Sequence, residues 1–435
     1  MNAKERNRRR FLKEGAALAG LAVGATRFAG GQQLTPVETF ENTKREIPAR
    51  FQPTARRLYG TPSPFETAKR QPKTPATIGW MTPLQDLTGV ITPSGLHFEI
   101  GMPAVDIDPR QHRLLIHGLV DRPLVLTPDD LKHLPSVTRV YFIECAGNGS
   151  PTGQAYMRNG GFMKNEGLTL IHTHGSTSCA EWTGVPLSVL LREVGVQKGA
   201  SWVIAESVDA GKLTRSIPLE KALDDVMVAY GQNGEAIRPE QGYPMRLLVP
   251  GWEGNVSVKW LRQIRVADRP YESNIVRAET PGLKPDAKGR WWQYQVGPKS
   301  VITFPSIGQH LPSPGFYEII GLAWSGGGAI RKVEVSIDGR RTWKDARLDE
   351  PVHRMAHTRF RFPWTWDGKE TVIASRCTDE RGDVQPTLEE LTKLWGVSLE
   401  YWLTASGRVE FFNPINPWRI TPEGSVRNAL YPLPL

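Results

Sequence analysis

Strand-type patterning recurs along this chain and sets most of the elements it predicts. His112-Arg113-Leu114-Leu115-Ile116-His117-Gly118-Leu119-Val120 reads as a strand that meets a turn at Asp121-Arg122-Pro123. Thr127-Pro128-Asp129-Asp130-Leu131 looks like a helix start, with a capping threonine followed by proline. Thr138 to Glu144 (TRVYFIE) is a β-branched and aromatic run ending at Cys145, after which Ala146-Gly147-Asn148-Gly149 forces a turn. Cys145 therefore stands where a strand becomes a loop, a usual place for binding residues. Pro186 to Val194 predicts a helix with Leu187, Leu190 and Leu191 on one face. Strands are expected at Ser201–Glu206, Val226–Tyr230 and Tyr243–Val249, the last stopped by Pro250-Gly251, with a short helix over Ile217–Leu223.

After Val301 the pattern is all-β. Gly315–Ala323, Ala329–Ile337, Arg359–Trp364 and Glu370–Arg376 are short strands punctuated by Asp338-Gly339 and Asp367-Gly368. That spacing fits an immunoglobulin-like sandwich. The organisation expected is an export leader over 1–29, a loose N-terminal arm over 30–89, a mixed α+β domain over 90–270, a linker over 271–300, the sandwich over 301–415 and a tail over 416–435.

The 42 glycines and 35 prolines among 435 residues agree with strands joined by turns rather than a helical bundle. At the start, Arg8-Arg9-Arg10 precedes Phe11-Leu12-Lys13 and a mildly apolar stretch from Gly15 to Val23. This is the form of a secretory leader, and the arginines before Phe-Leu-Lys match a twin-arginine signal, which predicts a periplasmic protein. Residues 1–25 hold six cations and two anions, so the net charge of +9 falls to about +5 without them. That modest, dispersed excess gives no argument for nucleic acid as a partner and suits anionic cofactors or substrates. Three cysteines, Cys145, Cys179 and Cys377, are too few for a disulfide scaffold, and none lies in Cys-x-x-Cys-His, so the chain carries no c-type haem signature of its own.

Cys145 alone could ligate a soft metal, act as a nucleophile or fill a small apolar space. No zinc spacing and no Gly-x-Ser-x-Gly accompanies it. The surrounding segments decide. Cys145-Ala146-Gly147-Asn148, then Glu181-Trp182-Thr183-Gly184, then Ala229-Tyr230-Gly231-Gln232-Asn233-Gly234, then Gly242-Tyr243-Pro244-Met245-Arg246, Val249-Pro250-Gly251 and Val258-Lys259-Trp260-Leu261 occur in order. This set resembles the sulfite oxidase-type molybdopterin family over roughly residues 90–410. The resemblance implies a molybdopterin domain followed by an immunoglobulin-like dimerisation domain, with molybdenum and molybdopterin as cofactor. It implies Cys145 as the single protein ligand to the metal and Tyr230 as a catalytic partner with its hydroxyl nearby. His97, Asp209, Gln241, Arg246 and the Ser257-Val258-Lys259 backbone are implied to line the pterin. Arg246 can fork onto a phosphate and Lys259 can add a compact charge. Cys179 and Cys377 match no ligand and are read as structural.

Two positions depart from the family. Sulfite oxidases carry arginines just after Cys-Ala-Gly-Asn and ahead of the cofactor histidine, where they hold the sulfite dianion; here Gly149-Ser150 and Gly95-Leu96 stand there. Loss of these cations is expected to open the pocket and weaken binding of a small dianion. Within the family, Ile91-Thr92-Pro93-Ser94-Gly95-Leu96-His97 and the Gly-Asn-Gly turn resemble the molybdenum subunit of the sulfane dehydrogenases of periplasmic thiosulfate oxidation. That implies a sulfane sulfur on a carrier protein's cysteine as substrate, a c-type cytochrome subunit as electron acceptor, and a homodimeric core in a heterotetramer. The alternative is a dehydrogenase of free sulfite.

Overall fold

Two antiparallel strands, Val137–Glu144 and Thr177–Pro186, pair residue for residue from Val137↔Gly184 to Glu144↔Thr177 and carry the chain to Cys145. They belong to a five-stranded sheet with Met227–Gln232, Glu235–Ala236 and Arg246–Leu248. The computed structural model describes residues 62–63, 65–74, 77–101, 103–150, 168–209, 211–271, 295–404 and 411–430. The expected leader, the arm as far as residue 61 and most of the expected linker lie outside the described residues.

A second five-stranded sheet is ordered Leu124–Leu126, Leu114–Gly118, Leu261–Ala267, Trp202–Ser207 and Thr214–Pro218, with one parallel pair between Leu114–Gly118 and Leu261–Ala267. The helix Leu187–Val194 seals the space between these sheets by burying Leu187, Leu190, Leu191 and Val194. The helix Pro128–Lys132 starts on the expected Thr127 cap, whose hydroxyl accepts from Asp130 N at 3.0 Å while the Asp130 carboxylate accepts from Thr127 N at 2.8 Å. The short helix expected at Ile217–Leu223 begins only at Leu219, because Thr214–Pro218 completes the sheet edge.

The C-terminal region is a two-sheet sandwich. One sheet runs Lys299–Phe304, Gly315–Trp324, Thr358–Trp366, Arg347–Leu348; the other contains Ile330–Ser336, Thr371–Asp379, Trp418–Ile420 and Val426–Asn428. Trp324, Phe360, Ile373 and Trp418 are fully buried between them, each worth about 1.5–3 kcal/mol of apolar burial. The same core continues into the first domain through Phe142, Leu170 and Cys179.

Three expectations on organisation need correction. The region beyond Val301 is not all-β: Leu388–Trp395 and Leu399–Thr404 are helices, the first with a Thr387–Glu390 capping box. Residues 416–430 are not a tail, since Trp418–Ile420 and Val426–Asn428 extend a sandwich sheet. The end of the arm is not loose: Gln71–Thr74 and Thr77–Met81 form a hairpin joined by Glu99–Ile100, and Met81 and Leu84 are fully buried. Apolar anchors among prolines account for this last difference, because two buried side chains are enough to pin a polar segment.

Candidate cofactor site

The Cys145 turn is held from three sides. Cys145 N–H donates to Ser176 O at 2.9 Å, Asn148 N–H donates back to Cys145 O at 2.9 Å, and Gly149 N–H donates to Thr173 O at 2.9 Å. Gly149 has φ +80°, in the left-handed region that favours glycine. Cys145 stays partly exposed and borders a cleft of about 290 Å³.

The cleft brings together most of the predicted residues. His97, Cys145, Gln241, Arg246, Ser257 and Lys259 all line it. Arg246 is 3 % exposed, donates to Gln241 O at 3.0 Å and Ser257 O at 2.9 Å, and lies over the Trp182 ring at 5.2 Å. Gln241 in turn donates to Phe98 O at 2.8 Å, next to His97. Burial pushes the Arg246 guanidinium down to about 9, still a cation at neutral pH. Burial, with Arg246 nearby, pushes Lys259 down to about 8. Burial, aided by Arg246 and Arg70, pushes His97 down to about 3 and keeps its imidazole neutral.

Two predicted residues sit behind the cleft wall. Asp209 is 5 % exposed, does not line the cleft, and acts on Lys259 through its charge. Val258 is fully buried in the second core, so only its backbone can serve a ligand. Tyr230, expected to place its hydroxyl near the metal, packs against the second core. Along its strand Met227 and Ala229 pack with Trp182 and Phe98, whereas Val228 and Tyr230 pack with the second core. Tyr230 is not among the residues that line the cleft, and it stands where the register of its strand with Thr177–Pro186 shifts, between Ala229 and Gly231.

The space expected above the two glycines is also taken. A Cβ on Gly149 would stand 3.2 Å from His174 Nε2 and 3.3 Å from Lys299 Nζ, and one on Gly95 would stand 3.2 Å from Arg238 Nη1. Neither glycine lines the cleft. A cation that the sequence reading missed does line it: Arg215, 1 % exposed, from the strand Thr214–Pro218, beside Leu213. No motif marks it, because a lone arginine in a short strand carries no pattern. Cys179 and Cys377 are fully buried, and burial pushes the Cys179 thiol up to about 12, so both are inert structural thiols.

These residues fit an anionic, hydrogen-bonding cofactor. Three buried polar atoms of predicted residues, His97 Nε2, Asp209 Oδ1 and Arg246 Nε, have no hydrogen-bond partner among the described residues. Buried polar atoms are nearly always paired, so the unpaired atoms of the two lining residues His97 and Arg246 mark where a polar ligand belongs. Arg215, Arg246 and Lys259 outnumber Glu99 as charged lining groups, which suits a phosphate-bearing pterin. Arg246 and Lys259 would hold its phosphate, and Cys145 would supply the soft sulfur for its metal.

Comparison with known proteins agrees with this geometry. Residues 100–275 match the family described as oxidoreductase molybdopterin binding domain, and residues 290–406 match the Mo-co oxidoreductase dimerisation domain. The chain is 32 % identical over 354 residues to a nitrate reductase [NADH] of Ulva prolifera, covering 70 % of this chain and 39 % of that one. It is 31 % identical over 343 residues to the mitochondrial sulfite oxidase of Homo sapiens, covering 72 % and 60 %. The chain thus spans less than two thirds of either relative. The crystal structure of the sulfane dehydrogenase SoxCD from Paracoccus pantotrophus superposes with a TM-score of 0.76 at 39 % identity, covering 89 % of this chain and 98 % of that one. A cysteine turn at a strand end, a cationic cleft with two unpaired buried polar atoms and two matched domains together place this chain in the sulfite oxidase-type family of molybdopterin oxidoreductases, with Mo-molybdopterin as its cofactor.

Proposed function

We propose that this protein oxidises a sulfane sulfur carried on the cysteine of a carrier protein and passes the electrons to a c-type cytochrome subunit. It works in the periplasm after twin-arginine export, as a homodimeric core within a heterotetramer. The observation that carries this reading is the absence of an arginine at positions 95 and 149, with Gly149 at φ +80° and closely approached by His174 and Lys299, so that a side chain there is strained. The likeness to a sulfane dehydrogenase over 89 % of the chain supports it. A small dianion needs several forked cations near the metal, whereas a sulfur tethered to a protein is positioned by its carrier.

When bound, the molybdenum cofactor supplies two-electron oxidation at sulfur. Each turnover adds one oxygen from water to the outer sulfur and releases two protons and two electrons. The chain contributes position and charge. Cys145 tethers the metal at a strand end. Neutral His97 offers a hydrogen bond without adding charge. Arg246 and Lys259 anchor the anionic end of the cofactor, and Arg215 supplies a cation within the same cleft.

The test is steady-state reduction of cytochrome c by the holoenzyme with a carrier-bound persulfide and with free sulfite. The expected result is a kcat/KM about 100-fold or more in favour of the carrier, from loss of two charge-assisted contacts to sulfite. Equal or better turnover of free sulfite would overturn the reading and make the protein a sulfite dehydrogenase.

A further inference from the structure

Beneath the Cys145 turn lies a polar cluster that none of the cofactor residues uses. Glu144 is fully buried, immediately before the ligand cysteine. Its Oε1 accepts from Lys299 Nζ at 2.7 Å and from Asn148 Nδ2 at 2.9 Å; its Oε2 accepts from Trp324 Nε1 at 2.7 Å. Lys299 Nζ also donates to Asn148 O at 2.6 Å. The Asn148 Oδ1 accepts from Ser176 N at 3.0 Å. One ammonium group therefore grips both ends of the turn, Glu144 before it and Asn148 at its close. Lys299 is 2 % exposed, with Trp324 and Phe411 rings at 6.0 and 5.5 Å.

Lys299 and Trp324 come from the first two strands of the sandwich, and 154 residues separate Lys299 from Cys145. None of Glu144, Asn148, Lys299 and Trp324 lines the cleft. A buried charge pair is costly unless its remaining hydrogen bonds are satisfied, and here both carboxylate oxygens are. An apolar contact would have joined the domains as well; a fully bonded ion pair also fixes direction.

We propose that Lys299 and Trp324 of the C-terminal sandwich are positioning residues for the metal-ligand turn, clamping Glu144 and Asn148 so that the Cys145 sulfur is held in one place for the metal. The first domain alone does not complete the cofactor site; the sandwich supplies the floor of the ligand turn. This rests on Cys145 as the metal ligand and is independent of which sulfur compound is oxidised.

The test uses full-length protein. Lys299→Met leaves the Glu144 carboxylate buried without its cation and can prevent folding. Glu144→Gln/Lys299→Met removes both charges, and the single glutamine oxygen can still accept from one of the two donors, Asn148 Nδ2 or Trp324 Nε1. Two readouts apply to the double variant. In cofactor-free protein, amide hydrogen exchange over residues 143–149 is expected to rise about tenfold or more, while exchange over 299–304 and 315–324 stays as in wild type. In loaded protein, the Mo(V) electron paramagnetic resonance spectrum is expected to shift, because its g values follow the geometry of the cysteine sulfur. Unchanged exchange at the turn, or equal loosening of turn and sandwich strands, overturns the proposal. So does an unchanged Mo(V) spectrum. If wild-type protein matured with its cofactor holds no molybdenum, the ligand role of Cys145 falls, and the exchange experiment still decides whether Lys299 holds the turn.

Discussion

The guanidinium of Arg246 lies 5.2 Å from the ring centroid of fully buried Trp182, and His97 meets the same ring edge-on at 5.7 Å. One aromatic side chain thus backs both a cation and a neutral imidazole of the cofactor cleft. Arg246→Met keeps the apolar contact with Trp182 and removes the charged fork. Molybdenum and pterin content, measured by elemental analysis and pterin fluorescence, is expected to fall by about 10- to 100-fold in cofactor affinity, the worth of one charged hydrogen-bond pair.

Lys259 adds a pH dependence to the same binding step. Its folded-state pKa is lowered to about 8, so the ammonium is present below that pH and lost above it. Binding of an anionic pterin to cofactor-free protein is expected to weaken as pH rises through about 8. Lys259→Arg, whose charge persists, is expected to flatten the curve. A binding titration between pH 7 and 9.5 that shows no difference between the two proteins would contradict this.

Cys145→Ser exchanges a soft sulfur for a hard oxygen at a half-buried position beside Phe98 and Ile143. Turnover is expected to vanish while the melting temperature stays within about 4 °C of wild type. Activity retained in purified Cys145→Ser protein would refute the ligand role.

Restoring an arginine beside the ligand turn should fail. Gly149 combines φ +80° with His174 and Lys299 at 3.2 and 3.3 Å from any added Cβ. Gly149→Arg is expected to cost about 1–3 kcal/mol in denaturant unfolding without raising sulfite turnover. Gly95→Ala meets only the far end of the Arg238 side chain and is expected to be nearly neutral.

His357 is buried between Phe142 and Trp324 and held at about 3 by burial and by Arg359. Its folded pKa lies below its unfolded value of about 6.5, so the unfolded chain binds the extra proton between these values. The stability it contributes is complete above pH 6.5 and is lost progressively as pH falls toward 3. His357→Asn is expected to give a shallower loss of melting temperature between pH 7 and 5 than wild type shows.

The sequence by itself determined the local elements and the order of the cofactor segments. The strand into Cys145, the helix Leu187–Val194 and the sandwich strands follow from short-range patterning, and six cleft residues were legible from their resemblance to family motifs. The sequence match at Tyr230 says nothing about the register of its strand, which shifts between Ala229 and Gly231; only the sheet pairing shows that. Arg215, and the grip of Lys299 and Trp324 on Glu144, left no trace in the chain's order. They depend on contacts between segments up to 180 residues apart, and only close packing of the two domains brings a buried ammonium under the Cys145 turn. Local steric and periodic preferences are written residue by residue, whereas burial, charge pairing and the enclosure of Gly149 are properties of the assembled interior.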